Sequence, residues 1–459
     1  MPEKSHKNTA AIVLAAGKGT RMQSDLPKVL HEVGGLSMIG HTLKAADGTA
    51  KTIAIVGHGR EAVEEEILKR FPTTICVAQK EQLGTGHAVL QARDALQGFS
   101  GDVAVLNGDV PLITTDLLKD LFSTHQRAGN TVTVLTTTVP DPTGLGRIIR
   151  DGAGNFKAIT EHKDASEKQR EIDEINTGIY IVRAPEVFSL LEKTSNQNAS
   201  GEFYLTDIVS LALESGGKVG THKTDDGLAL LGVNTPAQLA EAERIFQQRA
   251  RKKKLESGVF LKDAASTFFS ADTLLGKGTT VGPNVQFLAG VRCGEGCAIE
   301  GNSFLKDTRA ESNVTILSFC HIEGADIAAG ATVGPFARLR PGSSLGVNSK
   351  VGNFCEVKNT TLGAGSKASH LTYLGDAEIG MDVNIGAGTI TCNYDGTKKH
   401  QTSIENSAFI GSNTSLVAPV RIGEGALVAA GSTIRKDVAK GSLAYSRSAQ
   451  NTTTRKKEA

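Results

Sequence analysis

Lys18, Arg21 and Lys28 follow closely behind the apolar run Ala10–Leu14, and the turn Gly17-Lys18-Gly19 joins cations to run. Glycines let a backbone approach its ligand, and clustered cations with free N–H groups behind a strand suit a ligand that carries phosphates. Two common phosphate signatures are absent. A Walker loop needs G-x-x-x-x-G-K-[ST] and a dinucleotide fold needs G-x-G-x-x-G, whereas Gly19 is followed here by Thr20-Arg21-Met22.

Lys+Arg 50 and Asp+Glu 49 nearly cancel over 459 residues, so a phosphate site must be local and no general nucleic-acid-binding surface is expected. The start "MPEKSHKNTA" lacks the apolar core of a secretory signal, and no apolar run approaches the ~20 residues that span a bilayer. Neither membrane insertion nor export is expected. Cys293 and Cys297 are close in sequence, but no second pair stands at zinc-site spacing. All six cysteines therefore read as reduced thiols of a cytoplasmic protein.

The elements that must position the cations have two different grammars. From Thr9 to about Thr235, β-rich runs such as "AAIVLAA", "KTIAIVG", "TTICVAQ", "DVAVLNGD" and "NTVTVLTTTV" alternate with helical patterns such as "EAVEEEILKRF", "TGHAVLQARDAL" and "TTDLLKDLFSTHQRAG". This predicts an α/β domain over 1–235, Rossmann-like, with a mostly parallel sheet covered on both faces. Ligands of such sheets bind beyond the carboxyl ends of the strands, where the opening turn lies. A helical linker is predicted over 236–257, starting at Pro236 and ended by Gly258. Its basic run "RARKKK" (249–254) reads as a solvated helix end, favoured there by the helix dipole.

From 258 to 459 the period becomes six. Ile327, Val333, Leu339, Leu345, Val351 and Val357 recur at that spacing, and Ile410, Leu416, Ile422, Val428 and Ile434 resume it. Sustained hexapeptide repeats predict a parallel β-helix with the aliphatic residue inward, and period six resembles the left-handed kind. The repeat breaks at "TCNYDGTKKHQTS" (391–403), which is expected to loop out and carry binding function.

"LAAGKGTRMQSDLPKVLHEVGG" resembles the N-terminal signature of sugar-phosphate nucleotidyltransferases. With "EQLGTGHAV", "NGDVPL", "DPTGLGRII", "EINTGIY", "GVNTPAQL", "RLRPGS", "HLTYLGDAEIG" and "NIGAGTITCNYDG", the whole chain is similar to the bifunctional N-acetylglucosamine-1-phosphate uridyltransferase and glucosamine-1-phosphate acetyltransferase family. Leu145 departs from the pattern, standing where an aromatic is common. The resemblance implies acetylation of glucosamine-1-phosphate by acetyl-CoA on the β-helix. Transfer of UMP from UTP by the first domain follows, giving UDP-N-acetylglucosamine for peptidoglycan and lipopolysaccharide. It also implies Mg²⁺ and a homotrimer.

Carried over residue by residue, the resemblance assigns Leu14, Ala15, Ala16, Gly17, Asn107 and Gly108 to the nucleotide, with Arg21 and Lys28 neutralising its phosphates. Gln79, Gln82, Gly84 and Thr85 are implied to recognise uracil, and Gly146, Glu161 and Asn176 the N-acetylglucosamine moiety. Asp109 and Asn234 are the implied Mg²⁺ ligands, although Asp109 before Pro111 also reads as a turn cap. On the β-helix, His370 is the implied general base and Glu356 its orienting partner. Arg340, Lys358, Tyr373 and Asn384 are implied to hold the sugar phosphate. Ala387, Asn393, Tyr394, Ser412, Ala430 and Arg447 are implied to hold acetyl-CoA.

Two rivals stay open: a nucleotidyltransferase whose β-helix only holds an oligomer together, and a non-catalytic subunit that keeps the fold. His370, Tyr373, Arg447 and the 391–403 loop speak against the first. The intact Gly-Lys-Gly turn, Lys28 and Asp109 speak against the second.

Overall fold

The computed structural model describes residues 8–198, 200–446, 450 and 452–453. The chain divides into two compact units, residues 1–246 and 247–459.

The first unit is built on a nine-stranded sheet. Its strands are β1 (Thr9–Ala15), β2 (Lys51–Val56), β3 (Ile75–Ala78), β4 (Asp102–Asn107), β5 (Val132–Thr138), β6 (Arg147–Arg150), β7 (Phe156–Thr160), β8 (Glu174–Arg183) and β9 (Val219–Thr224). They lie in the order β9-β5-β8-β4-β1-β2-β3, with the hairpin β6–β7 attached to β8. β1 runs parallel to β2 and β4 on either side. After Thr9 it is apolar because both faces are covered: Ile12 packs into one cluster with Ile55 and Val105, and Val13 into the opposite one with Val56 and Leu106. The sheet is mostly parallel as expected, with β8 running antiparallel to both β4 and β5. Its register shifts between Asn176 and Tyr180, where Gly178 has φ 75°. The pattern "TGHAVLQARDAL" is α-helical only over Thr85–Leu90, because Ala92 and Arg93 already bond three residues back and tighten the chain toward the 3-10 turn Asp94–Leu96.

One helix, Pro236–Glu256, crosses the division between the units. Ala242, Leu239, Ile245 and Phe246 in its first half pack with Val33, Met38, Leu112, Ala229 and Val233 of the first unit. In its second half, Gln247 bonds both backbone groups of Phe269 (N→Oε1 2.9 Å, Nε2→O 2.7 Å). Arg251 Nε donates to Thr267 O at 2.9 Å and Lys254 Nζ to Thr273 O at 2.5 Å. The basic run is thus only partly a solvated helix end. Arg251 and Lys254 satisfy carbonyls in the first coils of the second unit, while Lys252 remains exposed.

The second unit is a parallel β-helix. Val333, Val351, Ala368, Ile385, Ile410 and Val428 align strand by strand in parallel register. The hexad residues share one buried core with them. Asparagines with positive φ, among them Asn284, Asn302, Asn348 and Asn413, occupy turns between strands, where their short polar side chains tolerate the left-handed region. The insertion is shorter than the sequence suggests. Thr391 and Thr402 stay inside the coil within strands Ile390–Cys392 and Thr402–Ile404, and only residues 393–401 project. The interior accepts Thr391 because its hydroxyl bonds both Gly375 N (2.8 Å) and Gly375 O (3.0 Å).

Candidate functional site

β1 and β4 end side by side, and the loops beyond them open a cleft of about 540 Å³. It is lined by Leu14, Ala15, Ala16, Gly17, Lys28, Gln79, Gln82, Gly84, Thr85, Asn107, Asp109, Gly146, Glu161, Asn176 and Asn234. Gly108 lies beneath, its N–H on Leu14 O at 2.9 Å. Arg21 stands exposed on the turn Thr20–Met22, outside the lining.

Lys28, Asp109 and Asn234 meet at one point. The Lys28 ammonium pairs with Asp109 Oδ2 and donates to Asn234 Oδ1 at 3.0 Å. Asn234 Nδ2 is held by Gly232 O at 3.1 Å, which aims Oδ1 at the ammonium. A Cβ on Gly232 would lie 3.3 Å from both Asp109 carboxylate oxygens, so the glycine keeps that side of Asp109 clear. Gly19 has φ 61° and any side chain there would run into Lys28, so the turn itself seats the lysine. A carboxylate and an amide oxygen already gathered around a cation form a hard donor set that fits Mg²⁺, which is commonly held by one or two carboxylates plus substrate phosphates.

At a second end of the cleft, Gln79 Nε2 contacts Gly84 O (3.2 Å) and His87 Nδ1 (3.1 Å), and Gln82 Nε2 donates to Ala16 O (2.8 Å). Gln79 Nε2 is engaged twice and Gln82 Nε2 once by the protein, which turns both side-chain oxygens toward a ligand donor. At a third, Asn176 bonds Tyr180 OH (2.7 Å) and Gly178 N (3.0 Å). Burial, and then the neighbouring Asp164 and Asp207, raise the Glu161 carboxyl above its usual range.

The β-helix residues lie on the surface of successive coils. His370 ends the strand Lys367–His370, exposed, with Nδ1 2.6 Å from Asn353 Oδ1. Glu356 is engaged by Arg340 Nη1 at 2.9 Å. Tyr373 is the register partner of Glu356, and its hydroxyl lies 3.5 Å from Asn393 Nδ2. Asn393 Nδ2 also donates to Asp376, whose other oxygen accepts from Asn359 at 2.7 Å. Burial disfavours the Asp376 carboxylate, but the two amide donors and the Lys399 and Lys358 charges outweigh it and hold its pKa below the usual range. Lys399, from the projecting loop, stands close enough to Lys358 that its own pKa is lowered. Ala387, Ser412 and Ala430 stack on consecutive coils through Asn413 N→Ala387 O and Gly431 N→Ser412 O, both 2.7 Å. Asn384 and Tyr394 are exposed. Arg447 lies outside the described residues.

Residues 11–171 match the MobA-like NTP transferase domain family, and residues 401–436 match the bacterial transferase hexapeptide family, six repeats. Over nearly its full length the chain is similar to proteins named bifunctional protein GlmU. It is 49% identical over 446 residues to that of Heliobacterium modesticaldum, covering 96% of each chain. It is 47% identical to that of Pelobacter propionicus, covering 97% of each, and 44% identical to that of Geobacter sulfurreducens, covering 96% of this chain and 97% of the relative. The chain belongs to the bifunctional GlmU family.

As a GlmU-family enzyme it joins a nucleotidyltransferase with a left-handed β-helix transferase, and the cleft and the His370 surface fall one in each part. Among the described residues, no helix is long and apolar enough to cross a membrane. Two residues that the structure brings to these places escape the sequence reading. Glu202 lines the cleft because Phe203 N bonds Leu83 O and Gly86 N bonds Phe203 O, at 2.8 and 2.9 Å. "GEFYLTD" carries no periodicity that would announce this pairing; its acidic and aromatic run is the only cue. Lys399 was hidden inside an insertion of no regular pattern.

Proposed function

We propose that this chain performs two consecutive steps. Its β-helix acetylates glucosamine-1-phosphate with acetyl-CoA, and its first unit joins the resulting N-acetylglucosamine-1-phosphate to UMP from UTP, in the cytoplasm. One observation carries the reading. A single cleft holds a lysine between two oxygen donors, amides with free acceptor oxygens, and a carboxyl beside an amide suited to sugar hydroxyls. A metal, phosphates, uracil and a sugar each find their chemistry there.

In uridyl transfer the sugar phosphate oxygen attacks the α-phosphorus of UTP, and the bond to pyrophosphate breaks. The protein mainly positions the reactants and neutralises charge. The backbone of Ala15–Gly17 lies along the triphosphate, and Lys28 and Arg21 supply positive charge. Asp109 and Asn234 would hold Mg²⁺, which when bound offsets phosphate charge. Gln79 and Gln82 accept from uracil, and Glu161 and Asn176 orient the sugar.

In acetyl transfer the sugar amine attacks the thioester carbonyl. His370 takes the amine proton, and coenzyme A leaves as the thiol. Lys358 and Lys399, two cations held against each other, suit the sugar phosphate, with Arg340, Tyr373 and Asn384 completing the cradle. Glu356, paired with Arg340, keeps that guanidinium in place. Asn393, Tyr394, Ala387, Ser412, Ala430 and Arg447 serve the acetyl-CoA side.

The acetyltransferase works as a homotrimer in this reading. Phe319, Phe336 and Phe354 stack face to face (4.8 and 5.3 Å between centroids) as an exposed ridge, and Leu371, also exposed, directly follows His370 in sequence. All four have positive φ, at a cost of about 1–3 kcal/mol each for a non-glycine residue. Large apolar side chains kept exposed at such positions suit burial against a second copy, which would bring further groups to His370. The test is incubation of the full chain with glucosamine-1-phosphate, acetyl-CoA, UTP and Mg²⁺. UDP-N-acetylglucosamine is expected, and its absence with folded protein would overturn the reading.

A further inference from the structure

We infer that Asn353 is a positioning residue for acetyl transfer: its side-chain oxygen fixes the proton of His370 on Nδ1 and leaves Nε2 free to accept. The inference rests on the reading of His370 as the base.

The geometry is built by the solenoid. Asn353 ends the strand Lys350–Asn353, His370 ends Lys367–His370, and the two are direct partners in the parallel register. The main chain locks the pair, because Asn353 O accepts from Leu371 N at 3.0 Å. Gly352 lets the strands close, since a Cβ there would meet the Ser369 carbonyl. Within this frame Asn353 Oδ1 lies 2.6 Å from His370 Nδ1.

A neutral imidazole has one N–H and one lone pair, and a hydrogen bond at one nitrogen decides which is which. With Oδ1 against the ring, Nδ1 must carry the hydrogen, and the lone pair is on Nε2. The opposite amide orientation would place a donor on Nδ1 and put the hydrogen on Nε2, where it blocks proton acceptance. During reaction the amine proton passes to Nε2, and the imidazolium keeps Nδ1–H on Asn353. The same proton then goes to the departing thiolate, and the ring is neutral again. Other titratable groups on the neighbouring strands are Lys350 and Lys367, at the far ends of the same strand pair, and Glu356 and Tyr373 on the strands that follow. Glu356 is engaged by Arg340, and the strand Asn384–Ile385 beyond carries no charge. An amide at this position orients the ring without adding a negative charge beside it.

The test uses the full chain and follows coenzyme A release between about pH 6 and about pH 9, around the imidazole range. Asn353→Ala should lower the acetylation rate about 10- to 100-fold, the scale seen when a partner orienting a histidine is lost. The KM for acetyl-CoA and uridyl transfer should not change. Asn353→Asp keeps an acceptor, so activity should return at high pH, with the inflection raised by about one unit or more. A residue that merely supports the fold would lower the melting temperature and leave the inflection of Asn353→Asp at the parental value, which overturns the inference. Should Asn353→Ala fail to fold, the inflection of Asn353→Asp decides alone. His370→Ala is run in parallel. If it stays active, the reading of the base fails; if it is inactive while both Asn353 variants match the parent, only the present inference fails.

Discussion

The Lys28 ammonium already sits where two oxygen donors converge, so removing it or Asp109 changes the charge balance of the cleft directly. Lys28→Ala should lower uridyl transfer by about 10²-fold or more, as for loss of a major electrostatic contact, and leave acetyl transfer intact. Steady-state rates of both half-reactions check this. Glu161 gives a pH prediction. Its folded pKa is raised, so the native state holds the proton more tightly than the unfolded chain. The resulting penalty is absent below the ordinary glutamate pKa, and grows as pH rises through the raised value. Glu161→Gln lacks the penalty. Its melting temperature should exceed the parent's at neutral and alkaline pH and converge with it in acid, and the same difference at all pH values would contradict the assignment. Most residues of this cleft are named in the sequence by the resemblance of their motifs, and the fold gathers them around the ends of β1 and β4. Glu202 is not, since backbone pairing brings it in from a distant loop. The Asn353 contact with the His370 ring is also hidden, since coil length and not a motif puts Asn353 beside the imidazole.

At the scale of elements, period six legibly encodes the β-helix because each hexad buries the same kind of residue in the same place. The parallel sheet was legible from strand and helix alternation. The reversal of β8 was not, since direction depends on the connections around "EINTGIYIVR" and not on its own pattern. The projecting segment 393–401 is a separable element. Asn393 and His400 close its base (His400 N→Asn393 O 2.8 Å), and Tyr394 and Lys399 pair across it. Replacing residues 394–399 with a short glycine turn should remove acetyl transfer, since Tyr394 and Lys399 go with it. Uridyl transfer and the melting temperature should hold. Retained acetyl transfer would show that the loop is a passive insertion.

For the whole molecule, the proposed trimer would tie assembly to activity through the aromatic ridge. Phe336 stacks between Phe319 and Phe354, so Phe336→Glu puts a charge in the middle of the proposed contact. We expect the solution mass to fall from three chains to one and acetyl transfer to fall with it, while uridyl transfer persists. Light scattering and the two assays check this, and a fully active monomeric acetyltransferase would exclude the trimer reading. The division of labour also predicts where chain separation is tolerated. A chain ending at residue 235 loses Leu239, Ala242, Ile245 and Phe246 from the cluster around Val33 and Met38. One that ends near 256 keeps it, and should be the better-folded uridyltransferase.

The most direct test of two independent sites in one chain is complementation. Asp109→Ala and His370→Ala are each supplied with glucosamine-1-phosphate, acetyl-CoA, UTP and Mg²⁺, and products are followed by mass. Asp109→Ala should stop at N-acetylglucosamine-1-phosphate, and His370→Ala should leave glucosamine-1-phosphate unconsumed. Mixed, the two preparations should make UDP-N-acetylglucosamine, because the acetylated intermediate diffuses from one to the other. Loss of both half-reactions in either folded variant, or no product from the mixture, would contradict the account.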